Sequence, residues 1–267
     1  MSRKLMSIFV VFFAIVICGC STVSPEFGGD GISPSSRGKM KSDFVGWKFK
    51  ADNGVELMVR EYIPSWVPWK IPLVVYLHGA GQNGFDNESQ LDDSVGSIHS
   101  FMQGRDDYKA VILAPQCPIG VYWRDEAVLE ALKELISKVS EDTACVDPDR
   151  ICVTGFSMGG DATWQLALRW PELMTTIVPV CGGPLVSMES DVPNIPANMS
   201  DLNIWAFNNF DDGVVRPNYA KGIFGSLWSM DNGDHLNFTE YVEGGHSPKA
   251  VYSNRNILIW MMSVKRR

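Results

Sequence analysis

Beyond about Phe44 the chain alternates between two hydrophobic rhythms. Compact apolar runs predict strands at Glu56–Tyr62, Leu73–Leu77, Ala110–Ala114, Ile151–Thr154, Thr176–Val180, Asn203–Phe207 and Leu236–Val242. Between them, apolar residues recurring every three to four positions predict helices over Ser89–Gln103, Asp125–Ser140, Met158–Arg169, Asn218–Ser229 and Ser253–Val264. The clearest stripe is Ala127, Val128, Ala131, Leu132, Leu135, Ile136 and Val139, which share one face of a helix. The run Pro72-Leu73-Val74-Val75-Tyr76-Leu77 has no polar alternation, as expected of a strand covered on both faces. Strands alternating with helices predict an α/β architecture, a doubly wound and mostly parallel sheet. In such sheets ligands gather at the carboxyl ends of the strands, and that rule sorts the candidate residues below.

The amino-terminal stretch follows neither rhythm. Arg3 and Lys4 precede an apolar run from Ile8 to Ile17, too short to span a bilayer and suited to a signal peptide. Its end, Ile17-Cys18-Gly19-Cys20, resembles the bacterial lipobox; the resemblance implies that residues 1–20 are removed and that Cys20 is diacylated as the mature N-terminus. Ser21 after the cysteine, where inner-membrane lipoproteins of Gram-negative bacteria carry Asp, implies the outer membrane. Residues 21–43 are rich in Ser, Gly and Pro and read as a flexible tether. Residues 44–267 then have the size of one α/β domain without a large lid. The formal charge is −8, and more negative once Arg3 and Lys4 leave, which argues against nucleic acid as a partner and against adsorption to anionic lipid. Contact with a membrane is expected only through the lipid on Cys20. The four later cysteines, Cys117, Cys145, Cys152 and Cys181, allow disulfides in an exported protein, although Cys152 and Cys181 fall where central strands are expected and a buried thiol is the simpler reading.

The candidate chemistry centres on Gly155-Phe156-Ser157-Met158-Gly159. This G-x-S-x-G lies between a short β-favouring run and a helical pattern, the context of a turn that holds a serine hydroxyl above a sheet. Its glycines are expected where a Cβ would collide with the neighbouring strand or helix. A serine nucleophile needs a base and a group that orients the base. Among four histidines, His78 belongs to an earlier loop, His99 to an expected helix, and His235 to the amino end of the last strand. His246 follows the carboxyl end of that strand and is the expected base. The acid is expected after the strand Asn203–Phe207, where Asp211 and Asp212 stand side by side. The oxyanion needs donors, for which the Met158 N–H and that of Ala80 or Gly81 in the glycine-rich loop His78-Gly79-Ala80-Gly81-Gln82-Asn83-Gly84 are expected. Nothing in that loop makes a phosphate-binding motif, and no metal or organic cofactor is implied. Trp123, at a Pro-rich strand exit on the same edge, suits either plain packing or stacking against a substrate ring.

Four ordered blocks carry a resemblance: Leu77-His78-Gly79-Ala80-Gly81-Gln82-Asn83-Gly84-Phe85-Asp86-Asn87, Ala114-Pro115-Gln116-Cys117-Pro118 with Trp123, Asp147-Pro148-Asp149-Arg150, and Gly155-Phe156-Ser157-Met158-Gly159-Gly160. Together they resemble the phospholipase/carboxylesterase group of α/β-hydrolases, and within it the secreted "predicted peptidase" branch near feruloyl and polyhydroxybutyrate esterases. The resemblance implies the α/β-hydrolase fold, the order Ser157, Asp212, His246, and the choice of Asp212 because Val214-Val215 follow at the family's spacing. It implies a serine esterase acting on small-molecule or oligosaccharide esters. The same triad acting on peptides, and a non-catalytic envelope binding protein, are the competing readings. One departure stands out: the family commonly carries His-Gly where this chain has Asn208-Asn209.

Overall fold

The computed structural model describes residues 40–67, 69–183, 199, 201–230 and 233–267. The expected leader, Cys20 and residues 21–39 of the expected tether lie outside the described residues. Phe44, the first residue of the expected domain, is buried in the core, and so is Met40 just before it.

Eight strands form one sheet: β1 Val45–Lys50, β2 Glu56–Tyr62, β3 Ile71–Leu77, β4 Val111–Gln116, β5 Val146–Phe156, β6 Thr176–Val180, β7 Asn203–Asn209 and β8 Leu236–Tyr241. Their order is β1-β2-β4-β3-β5-β6-β7-β8. β1 pairs antiparallel with β2 and β2 with β4; every other pairing is parallel. This is the doubly wound, mostly parallel sheet expected from the pattern. β1 is the strand the pattern missed: Val45-Gly46-Trp47-Lys48-Phe49-Lys50 sits at the edge, with most of its residues outside the core. One-sided burial leaves too little apolar periodicity to announce a strand.

All seven residues of β3 are buried. Leu73, Val75 and Leu77 join the core on one face, Val74 and Tyr76 the core on the other. The first core is covered by α2 Glu126–Asp142, α3 Met158–Arg169 and α4 Asn218–Met230; the second by α1 Asp93–Met102, α5 Lys249–Tyr252 and α6 Arg255–Ser263. The buried stripe of α2 includes Leu129 in place of the expected Ala127, which is exposed. α1 starts later than expected because Asp92 caps it, its Oδ1 accepting from the N–H groups of Ser94 (2.8 Å) and Val95 (3.2 Å). Among the described residues no separate lid domain covers the sheet.

The chain runs from β3 to β4 on one side and returns to β5 on the other, so the strand order reverses beside β3. The loops after β3 and β5 therefore open a crevice at the carboxyl ends of the strands. The opposite ends are tied by the last residues of the chain. Arg266 N–H donates to Asp149 O (2.9 Å), Asn203 Nδ2 donates to Lys265 O (3.1 Å), and Arg267 Nη1 donates to His235 Nε2 (2.8 Å). His235 accordingly sits at the amino ends of the strands, where the sequence puts it. Cys181 lies one residue beyond β6 rather than within it, and Cys117, Cys145, Cys152 and Cys181 are all free thiols.

Candidate active site

β5 rises through the middle of the sheet and ends at Phe156; α3 begins at Met158. Ser157 joins them with φ 56° and ψ −115°, a left-handed conformation that costs a non-glycine residue about 1–3 kcal/mol. The turn is held by the Ser157 N–H donating to Val180 O (2.9 Å) and by the Asp161 N–H donating to Ser157 O (2.9 Å). Its glycines are required by contact. A Cβ on Gly159 would overlap the Leu77 carbonyl, and one on Gly155 would overlap the Gly159 carbonyl. The strands and helix meet too closely at this point for any side chain.

Two loops from the far strands bring their side chains to Ser157. His246 Nε2 lies 2.8 Å from Ser157 Oγ, and His246 Nδ1 lies 2.8 Å from Asp212 Oδ2. An ionised carboxylate only accepts, so Nδ1 carries the proton and Nε2 is left to accept from the serine hydroxyl. The other Asp212 oxygen accepts from the N–H groups of Val214 (2.8 Å) and Val215 (2.9 Å), which fixes the carboxylate. The Asp212 side chain is fully covered, while that of His246 is still 19% exposed and open to the cleft. Asp211 points elsewhere. Its oxygens accept from the N–H groups of Gly245 (2.7 Å) and Gly244 (3.3 Å), so it holds the loop that carries His246.

Ala80 is exposed and opens a single 3-10 turn after β3; Met158 opens α3. As first residues, neither has an N–H partner within its own turn. The loop around Ala80 is braced from the β4 exit: Asn83 Nδ2 donates to Val121 O (2.9 Å), Gly84 N–H to Cys117 O (2.9 Å), and Gln116 Nε2 to Gln82 O (3.0 Å) and Asp86 Oδ1 (2.7 Å). Beneath it His78 is buried, with Nδ1 facing Gly79 O (2.6 Å) and Nε2 accepting from the Cys117 N–H (2.9 Å). Burial lowers its pKa to about 4, so the ring is neutral at pH 7.

Trp123 corrects the stacking alternative. It is fully buried, its Nε1 donates to His78 O (3.0 Å), and its ring lies 5.1 Å from that of His78. A side chain with no accessible surface offers no face to a substrate; it supports the loop from below.

No family model matches the chain. It is 24% identical over 173 residues to poly(3-hydroxyalkanoate) depolymerase C of Paucimonas lemoignei, a match covering 60% of this chain and 42% of that protein. It is 25% identical over 209 residues to poly(3-hydroxybutyrate) depolymerase of Ralstonia pickettii, covering 70% and 41%. The chain thus spans about two-fifths of the length of these curated relatives. Among solved structures, a thermostable esterase superposes with a TM-score of 0.72 and 32% identity, over 84% of this chain and 63% of that one. The chain has the α/β-hydrolase fold and is similar to its carboxylesterase-like members.

Within this α/β-hydrolase fold, several neighbours of the Ser157 cluster have roles that the sequence did not assign. The Phe156 ring packs 4.7 Å from that of His246. Asn209, at the family departure, donates through Nδ2 to Gly245 O (2.6 Å) and Ser247 O (3.1 Å) and so clamps the histidine loop. The departure leaves the loop well held. Beside the serine lies a cavity of about 160 Å³, lined by Ser157, Met158, Asp161, Tyr122, Arg124 and Val215 among others. Asp161 is buried in the first turn of α3, and burial pushes its pKa up to about 6 against the pull of Gln165, Arg124 and Arg169. Pro-rich and glycine-rich motifs mark loops; nothing in a lone aspartate after Gly159-Gly160 marks the wall of a cavity.

Proposed function

We propose that this α/β-hydrolase cleaves carboxylic esters through an acyl-enzyme, with Ser157 as nucleophile, His246 as general base and acid, and Asp212 as the group that orients His246. The observation that carries the reading is the unbroken chain of 2.8 Å contacts from Ser157 Oγ through His246 to Asp212, presented on a strained turn at the carboxyl edge of the sheet. Ser157 Oγ attacks the ester carbon while its proton passes to His246 Nε2, and the imidazolium is stabilised by the Asp212 carboxylate. The oxyanion is held by the N–H groups of Met158 and Ala80. Collapse of the tetrahedral intermediate breaks the bond to the alcohol, which leaves with the proton from His246. Water then attacks the acyl-enzyme with His246 again taking the proton, and Ser157 is restored.

The names of the relatives support an ester substrate, and the size of the site narrows it. Among the described residues the cavity beside the serine is about 160 Å³, too small to cover a long acyl chain, and each CH₂ left in water forgoes about 0.8 kcal/mol. Short-acyl or aryl esters, including acetyl or feruloyl groups on plant-wall saccharides, are therefore the substrates we assign. A fluorophosphonate probe should label the protein once, and Ser157→Ala should remove the label. On p-nitrophenyl acetate, butyrate, octanoate and palmitate, kcat/KM should fall as the chain grows. Labelling that survives Ser157→Ala ends the reading; a maximum at palmitate ends the short-acyl assignment; a preference for peptides turns the same residues into a peptidase. We further propose that the enzyme is tethered to the cell envelope through lipid on Cys20, with the catalytic domain outside the cytoplasm.

A further inference from the structure

The cavity beside Ser157 holds a charged group that ester cleavage does not use. Asp161 is 6% exposed and lines this cavity together with the serine. Among the described residues its side-chain partner is Gln165 Nε2 at 3.4 Å, a long contact for a carboxylate that has left water. Burying a carboxylate with so little hydrogen bonding is expensive. A first-turn acid that only served the helix dipole would gain as much from an exposed position without that cost.

The lining of the same cavity carries a complementary group. Arg124 is exposed, lines the same cavity, and lies with its guanidinium 5.1 Å from the centre of the Tyr122 ring. An ammonium entering here meets Arg124, and a carboxylate meets Asp161. A hydroxyl suits both, since it donates to one and accepts from the other. Met158, Val215, Gly182 and Gly183 line the remainder and suit the C–H faces of a hydroxylated ring or chain.

We propose that this cavity is the subsite for a hydroxyl-bearing substituent of the ester, and that Asp161, accepting from that hydroxyl while Arg124 donates to it, is a specificity-determining residue. The inference rests on the hydrolase reading above. It assigns a class of substrate to the site: esters carrying a free hydroxyl near the scissile bond, on the alcohol or the acyl side.

The test is a selectivity ratio measured on matched esters. 6-O-acetylglucose is compared with cyclohexylmethyl acetate, and ethyl 3-hydroxybutanoate with ethyl 3-methylbutanoate; the second pair exchanges one hydroxyl for a methyl group, and the first exchanges all hydroxyls and the ring oxygen for hydrocarbon at similar bulk. The wild-type protein should favour the hydroxylated member in at least one pair. In Asp161→Asn and Asp161→Ala that ratio of kcat/KM values should fall about ten- to a hundredfold, the effect of losing a hydrogen bond to a charged group. Arg124→Ala, at an exposed position that folding tolerates, should lower the same ratio and decides the matter if the Asp161 variants do not fold. A ratio unchanged in the variants, or a parallel loss on both members of each pair, overturns the inference while leaving the hydrolase reading intact. A wild-type protein that turns over none of these esters and takes no fluorophosphonate label overturns both.

Discussion

Asp211 and Asp212 are neighbours in the chain, yet the end of β7 turns one outward and the other inward. Asp212 is buried against His246 and has two backbone N–H donors on its second oxygen. Asp211 stays exposed and captures the two glycine N–H groups just before His246. Their substitutions should therefore separate. Asp212→Ala should lower kcat on an acetyl ester about 10³- to 10⁴-fold with little change in KM, because the imidazolium loses its partner. Asp211→Ala should lower kcat only about tenfold, by loosening the loop, and Asp211→Asn, which keeps an acceptor oxygen, should recover most of that. Equal losses at the two positions would contradict this division. The sequence named both aspartates and left the choice to family spacing, since adjacency in the chain does not say which side chain faces the sheet edge. Ser157 and His246 were legible because a turn motif and a strand end are local features. Asn209, Phe156 and Asp161 were not, because each matters through a contact with a loop or cavity that only the packed strands create.

Around the nucleophile, the end of β3 and the first turn of α3 each carry a buried titratable group, and the two respond to acid in opposite ways. His78 is held neutral, with its pKa lowered to about 4. As pH falls from about 6.5 toward 4 the unfolded chain binds a proton there and the folded one does not, so this group removes stability. Asp161 has its pKa raised to about 6, so between about 6 and 4 the folded chain binds the proton first and gains stability. Above pH 6 the ionised Asp161 is a standing penalty of the order of 3 kcal/mol. In urea titrations Asp161→Asn should therefore be more stable than wild type at pH 8, with the advantage gone by pH 4. An advantage that persists at pH 4, or one absent at pH 8, would show that the carboxylate is not desolvated as described. A destabilising group kept beside a nucleophile is the expected signature of a residue retained for binding. At the scale of elements the hydrophobic rhythm found seven of the eight strands and missed β1, the half-exposed edge. It also missed the four-residue helix α5, too short to display a helical period.

For the whole molecule, the mostly parallel sheet gathers the proposed chemistry on one edge and the last residues of the chain on the other. The proposed anchor predicts that wild-type protein partitions into the detergent phase and that Cys20→Ala is either released or left unprocessed, while Cys18→Ala behaves as wild type. A mature protein that begins elsewhere and stays in the aqueous phase would rule the anchor out. The knot that joins Lys265, Arg266 and Arg267 to Asn203, Asp149 and His235 has a practical corollary. A linker fused after Arg267 leaves from the side of the sheet opposite Ser157, so a bead or sensor chip coupled through it would present every copy with its cleft toward the flowing solution. Turnover by such a support, compared per molecule with the free enzyme, should be the same for small esters and for bulky saccharide esters alike.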